Sequence, residues 1–152
     1  MAVTIERSGP DDGPAIVQLL SKSALPTDGV LDHLGTAIVA RAEGQLVGCA
    51  ALEVYADGAL LRSLAVDDTV QGRGIGSQLT AAILDLANSL EIRAAYLLTT
   101  TADGFFPKFG FECIRREDVP TSVRGSIEFE SACPATATVM RKLLTAGQQS
   151  DR

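Results

Sequence analysis

Gln71-Gly72-Arg73-Gly74-Ile75-Gly76 places three alternating glycines between a β-rich run that ends at Val66 and an apolar pattern at helical spacing, Leu79, Ile83, Leu86, Ala87 and Leu90. A chain that enters a helix through such a loop presents the first helical amides, which lack intrahelical partners, at the positive end of the macrodipole. Glycines let the backbone approach a pyrophosphate closely and adopt positive φ, and Arg73 adds a fixed positive charge. The segment therefore predicts an anion site at a strand-to-helix junction. A nucleoside-triphosphate loop of the Gly-Lys-Ser/Thr kind is excluded, because Ile75-Gly76-Ser77 has no lysine. A dinucleotide fingerprint is excluded as well: Ser77 stands where a third Gly or Ala is needed, and no acidic residue follows about 20 positions later on a next strand.

The elements around the loop follow from periodicity and turn chemistry. Val3 to Arg7 alternates as a first strand, and Ser8-Gly9-Pro10-Asp11-Asp12 turns into a helix carrying Ala15, Ile16, Leu19 and Leu20. A short helix is predicted over Asp28 to Leu34. Ala37 to Arg41 and Gln45 to Val54 form a hairpin about Glu43-Gly44, and a second turn at Asp57-Gly58 leads into Ala59 to Val66, completing a three-stranded meander. Beyond the glycine-entered helix come a strand over Ala94 to Thr101, a short helix over Gly104 to Phe109, and a strand over Phe111 to Arg115. An irregular stretch from Asp118 to Pro134 precedes a closing strand from Thr136 to Leu143. One domain over residues 1–144 is expected, with a fraying tail over 145–152.

Composition narrows the partners. Net charge is −6 with no long basic run, so a nucleic-acid backbone is repelled over most of the surface. No window reaches the ~20 apolar residues of a membrane span, and Met1 to Gly13 lacks a signal-peptide pattern, so a cytoplasmic protein without a membrane partner is expected. Cys49, Cys113 and Cys133 lie far apart and read as small buried apolar residues, and a single histidine, His33, makes a two-histidine metal motif impossible; no metal is expected.

Leu64-Ala65-Val66, then Gln71 to Gly76, then a helix, a strand and Phe105-Phe106-Pro107-Lys108-Phe109-Gly110-Phe111, resembles the acetyl-CoA signature of the GNAT N-acetyltransferases. The resemblance implies an α/β (α+β) fold with a mixed, mostly antiparallel sheet, splayed between its fourth and fifth strands, and flanking helices. It further implies acetyl-CoA as cosubstrate. Leu64, Ala65 and Val66 would hold the pantetheine arm and acetyl carbonyl, and Gln71, Gly72, Arg73, Gly74, Ile75, Gly76 and Ser77 would cradle the pyrophosphate. Phe105 and Phe106 would line the opposite wall, the alternative for both rings being core packing. Many family members carry a tyrosine at the position of Phe106 as proton donor to the leaving thiolate, and Phe106 has no proton to give. Thr99-Thr100-Thr101, Asp118-Val119-Pro120 and Arg124 resemble the catalytic domain of bacterial N-acetylglutamate synthases, and the C-terminal half with Cys133-Pro134 is similar to small acetyltransferases of arsenic-resistance operons. Both resemblances imply transfer of acetyl to the primary amine of a small amino-acid-like substrate. A catalytically silent CoA-binding or regulatory module is the alternative, and monomer and homodimer both stay open.

If Asp57-Gly58 is a two-residue turn, positions summing to 115 face each other, so Glu53 is expected opposite Arg62 and Ala51 opposite Leu64. Arg62 would then clamp a substrate carboxylate while Glu53 takes an ammonium proton, directly or through water; a cross-strand ion pair is the other reading.

Overall fold

A computed structural model describes residues 2–100, 102–126 and 137–144. Five strands come first in the sheet order and in the chain: β1 (Val3–Arg7), β2 (Ala37–Ala42), β3 (Gln45–Tyr55), β4 (Gly58–Val66) and β5 (Ala94–Thr99). Beyond β5 lies β7 (Thr138–Leu143), with β6 (Glu112–Ile114) at the far edge. All pairings are antiparallel except β4 with β5. That parallel pair consists of Ala59↔Ala95 and Leu60↔Tyr96 alone, so from Leu61 onward β4 leaves β5 and the sheet splays as the resemblance implies.

Helices cover both faces. The glycine loop feeds α2 (Ile75–Ser89), whose Leu79, Ile83 and Ala87 are fully buried against Leu52 and Leu61. Their i, i+4, i+8 spacing aligns them in one stripe, which is why the apolar pattern reads as a helix. On the opposite face α1 (Gly13–Lys22) packs Ile16 and Leu20 onto Val39, Cys49 and Ala65, and the short α3 (Thr121–Arg124) packs Val123 near Leu60 and Tyr96. The short helix expected over Asp28 to Leu34 is a 3₁₀ segment, Val30–Thr36, with a non-helical break at His33. Another 3₁₀ segment, Phe106–Phe109, replaces the helix expected from Gly104.

The second turn differs from the sequence expectation. Tyr55 pairs with Gly58, so the turn residues are Ala56 and Asp57 rather than Asp57 and Gly58. Facing positions therefore sum to 113: Glu53 faces Leu60, and Arg62 faces Ala51. Further along, Cys49 pairs with Ala65, so β4 has one residue more than β3 between these pairs, a β-bulge at Ser63-Leu64. Ser63 sits at φ 62°, a left-handed conformation unusual for a residue with a Cβ. Cys113 is exposed, against the expectation of burial, because β6 is a three-residue edge strand with little packed over it. Thr101, Cys133-Pro134, Thr136 and the tail from Thr145 lie outside the described residues.

Gly58 governs where β4 and β5 meet. Its φ is +154°, and a Cβ there would stand 2.9 Å from the Ala94 carbonyl oxygen and 2.9 Å from Tyr96 Cε2. Because backbone cannot retreat as a side chain can, Gly58→Ala is expected to lower stability by about 1–3 kcal/mol. Urea unfolding should show a lower midpoint at unchanged slope; an unaltered midpoint would mean that the β4–β5 junction has room to spare.

Candidate active site

A groove of about 590 Å³ lies where the splay meets the start of α2. Leu64, Ala65 and Val66 form one wall, Gln71, Gly72, Gly74, Ile75, Gly76 and Ser77 the end, and Phe105 the opposite side. Val70 and Ala102 complete it; neither has a sequence signal, since both are ordinary apolar residues brought there by the loop and the end of β5. Arg73 is exposed and does not line the groove. Phe106 does not line it either: the ring is only 6% exposed and packs edge-on against Phe111 within the main core, so the expected two-ring wall is one ring. Adjacent residues on a tight 3₁₀ turn point in different directions, and only Phe105 turns outward.

The groove suits an extended, anion-ended ligand. Gly74 caps α2 at φ 78° with no side-chain hydrogen bond and no acidic residue in the first turn, so among the described residues no side chain caps the first amides of the helix. A Cβ built at Gly72 or Gly74 would meet no atom within 4 Å. The loop is fastened from behind: the Gln71 side-chain amide donates to the Val66 carbonyl, Asp67 accepts from the Thr69 amide and hydroxyl, and Lys22 reaches Asp67 at 3.2 Å from α1. Those bonds bring the Asp67 carboxyl below its usual range, the Thr69 amide and hydroxyl contributing most.

Beside the groove, on the α1 face, lies a buried polar cluster. Arg62 Nη1 donates to Glu53 Oε2 at 2.8 Å and to the Asp28 carbonyl at 2.6 Å. Nη2 donates to the Pro26 carbonyl at 3.2 Å, and Nε to Ser63 Oγ at 2.9 Å. Glu53 and Arg62 are thus neighbours, as expected, but diagonally rather than directly across the strands. Both side chains are essentially inaccessible to solvent. The guanidinium expected to clamp a substrate carboxylate is therefore already held by protein oxygens, two of them carbonyls of the segment that leads into Val30–Thr36.

Glu53 Oε1 accepts from Tyr55 Oη at 2.5 Å, and His33 Nε2 stands 3.8 Å from Glu53 Oε2. Burial acts to raise the Glu53 carboxyl, but hydrogen bonds from Ser126, Tyr55 and Arg62, with His33 nearby, outweigh it and hold the group below its ordinary value. Tyr55 is pushed up to about 12, by burial first and by its bond to the Glu53 carboxylate second, and stays a neutral donor. A carboxylate so saturated is a poor direct base. The sequence excluded His33 only from a two-histidine metal motif; no spacing ties it to Glu53, and the tertiary fold alone brings them together. Among the described residues no group of three or more metal-ligand side chains occurs, and no helix is long and apolar enough to cross a membrane.

Removing one partner of a buried ion pair strands the other without compensation, at a cost of about 3–5 kcal/mol. Arg62→Met alone is expected to fall in that range, and Arg62→Met with Glu53→Leu to cost less than either single change, as a chemical-denaturation cycle would measure. Since the folded-state pKa of Glu53 lies below 4.5, its contribution stands in full above that pH and is lost as pH falls through the depressed folded value. Equal acid sensitivity in the wild type and the double variant would place the loss elsewhere.

The acetyltransferase (GNAT) domain family matches residues 33–113, from His33 to Cys113. An amino-acid acetyltransferase of Mycobacterium tuberculosis is 30% identical over 129 residues, covering 78% of this chain and 74% of that protein. One from Neisseria meningitidis is 29% identical over 133 residues, 80% of this chain; the chain spans only 30% of that relative's length. Among solved structures, Rv2747 of Mycobacterium tuberculosis in complex with CoA superposes with a TM-score of 0.80 at 27% identity, covering 93% of this chain and 99% of that one. The N-acetylglutamate synthase of Neisseria gonorrhoeae with CoA and N-acetyl-glutamate also gives 0.80, at 24% identity, over 95% of this chain and 35% of that one, a likeness of fold. With the splayed sheet, the glycine-entered helix and the groove between them in place, the chain belongs to the GNAT acetyltransferase family.

Proposed function

We propose that this chain is an acetyl-CoA-dependent N-acetyltransferase whose acceptor is the primary amine of a small amino acid. The observation that carries the reading is the groove, in which the open edge of β4 from Leu64 to Val66 runs directly to the uncapped start of α2. An extended cosubstrate with amides along its length and a pyrophosphate at one end matches both features, because unpaired strand amides and helix amides each need an acceptor. Leu64, Ala65 and Val66 hold the pantetheine arm, the amides from Gly72 to Ser77 hold the pyrophosphate, and Phe105 closes the side. Arg73, exposed beside the loop, meets the phosphates from outside the groove. The amino-acid acceptor is supported by relatives named amino-acid acetyltransferases and by a neighbour solved with N-acetyl-glutamate.

In that reaction the bound cosubstrate supplies a thioester carbonyl, and the protein orients it against the amine within one ternary complex. Arg62 and Glu53 fix the floor of the acceptor side: Arg62 ties the Pro26 and Asp28 carbonyls to β4, and Glu53 holds a fixed negative charge that attracts an ammonium. A link to arsenic resistance is proposed from the residue pattern of the C-terminal half alone, and it would appear as altered arsenite tolerance of cells that express the chain.

Calorimetry and steady-state CoA release test the reading. The wild type is expected to bind acetyl-CoA and to release CoA with at least one amino acid of a standard panel. Gly74→Glu, which puts bulk and negative charge where the pyrophosphate lies, should weaken acetyl-CoA binding on the order of 100-fold, about 2.7 kcal/mol, while the protein stays folded. A folded wild type that gives no heat with acetyl-CoA would overturn the proposal.

A further inference from the structure

We propose that His33 accepts the proton of the acceptor amine, with Glu53 behind it as a fixed counter-charge; this rests on the acetyltransferase reading above. Glu53 itself is badly placed for the task. Its side chain is 1% exposed, and its oxygens already accept from Tyr55, Arg62 and Ser126. The His33 side chain is 24% exposed, so within the same cluster it is the imidazole that meets both solvent and the buried carboxylate. Tyr55 also reaches the edge of the cluster, but its hydroxyl is spent as a donor to Glu53.

The backbone holds the ring where this role requires it. Gly29, at φ 76°, turns the chain into the 3₁₀ segment, and the break at His33, φ −121° and ψ 20°, lets the ring leave the helical path. Thr36 Oγ1 bonds both the His33 carbonyl, at 3.4 Å, and the Leu52 carbonyl of β3, at 2.5 Å. On the other side, Arg62 holds the Pro26 and Asp28 carbonyls. The segment is thus pinned before and after His33 to the two strands that carry Glu53 and Arg62. Ser63, whose hydroxyl accepts from Arg62, directly precedes Leu64 of the groove wall, so the cluster and the groove meet along β4.

With Nε2 turned to Glu53, Nδ1 is the nitrogen left for the substrate; among the described residues it makes no hydrogen bond. An ammonium proton passes to Nδ1, giving the free amine and an imidazolium stabilised by the Glu53 carboxylate across 3.8 Å. The amine nitrogen attacks the thioester carbonyl carbon, the C–N bond forms and the C–S bond breaks, and the second N–H proton leaves with the sulfur as CoA thiol. The proton on His33 is returned to water.

The test compares the full-length wild type with His33→Gln and His33→Ala, using the amino acid that the wild type acetylates best. General-base catalysis contributes about 10²–10⁴-fold, so kcat should fall about 100-fold or more in both variants, while acetyl-CoA affinity by calorimetry stays within about twofold. Tens of millimolar imidazole should restore much of the lost rate to His33→Ala, which a merely structural role would not allow. His33 is the one histidine in the chain, so carbethoxylation of the wild type with diethyl pyrocarbonate should abolish turnover without unfolding, which covers the case of a variant that fails to fold. A kcat within about threefold of the wild type, or a loss that imidazole does not reverse, overturns the role of His33 while leaving the acetyltransferase reading in place. A wild type that binds acetyl-CoA and acetylates nothing in the panel overturns both.

Discussion

The separation of β4 from β5 is the constraint on which the rest of the molecule depends. Two strands that begin as parallel partners stop pairing after Leu60, and a stretch of strand edge that would ordinarily be closed lies open inside the sheet. Open edges invite pairing with anything extended. Here the opening is bounded by α2 on one side and Phe105 on the other, so what it admits is a narrow ligand rather than another strand. The bulge at Ser63-Leu64 falls within the divergent part of β4 and adds local twist, and Ser63 is held in its left-handed conformation from two directions: Arg62 Nε donates to its hydroxyl and Cys49 Sγ to its carbonyl. Burial pushes the Cys49 thiol up to about 12, so this residue remains a neutral donor.

The electrostatics follow from the same geometry. A chain of net charge −6 can still hold an anion when the attraction is local and comes from the backbone. The groove end is built from glycines and the first residues of a 15-residue helix, and the acidic Asp67 and Asp68 that precede it are engaged with Thr69, Lys22 and Gln71. Amide dipoles cost nothing in side-chain entropy and do not titrate, so a site of this kind keeps its strength across the physiological pH range.

Local chemistry was legible in the sequence wherever one segment determines it: the glycine-entered helix, the Glu43-Gly44 hairpin, the apolar stripe of α2. The register of β3 and β4 was misread by two because Asp57-Gly58 looks like a turn centre, whereas Gly58 is needed as the first paired residue, where a Cβ would strike Ala94 and Tyr96. A slip of two residues preserves side-chain parity, so Glu53 and Arg62 stayed on one face and remained neighbours. What the sequence could not carry was the occupation of Arg62. Two of its acceptors are main-chain carbonyls at Pro26 and Asp28, and a carbonyl leaves no trace in residue identity. Phe105 and Phe106 were equally ambiguous, since two adjacent identical side chains give no hint of which turns inward.

The division of labour at the site bears on the tyrosine that many relatives carry at the position of Phe106. With that ring inside the core, no hydroxyl from this position serves the leaving group. The demand there is modest, because a thiol with a pKa of about 8.5 departs as thiolate far more readily than an alcohol would. An aliphatic ammonium, by contrast, with a pKa of about 10 holds its proton at neutral pH and has no lone pair with which to attack. In the proposed reaction the proton that most limits transfer is therefore the one on the amine, and the proposal assigns it to the cluster in which His33 stands 3.8 Å from Glu53 and Arg62 pairs with the same carboxylate.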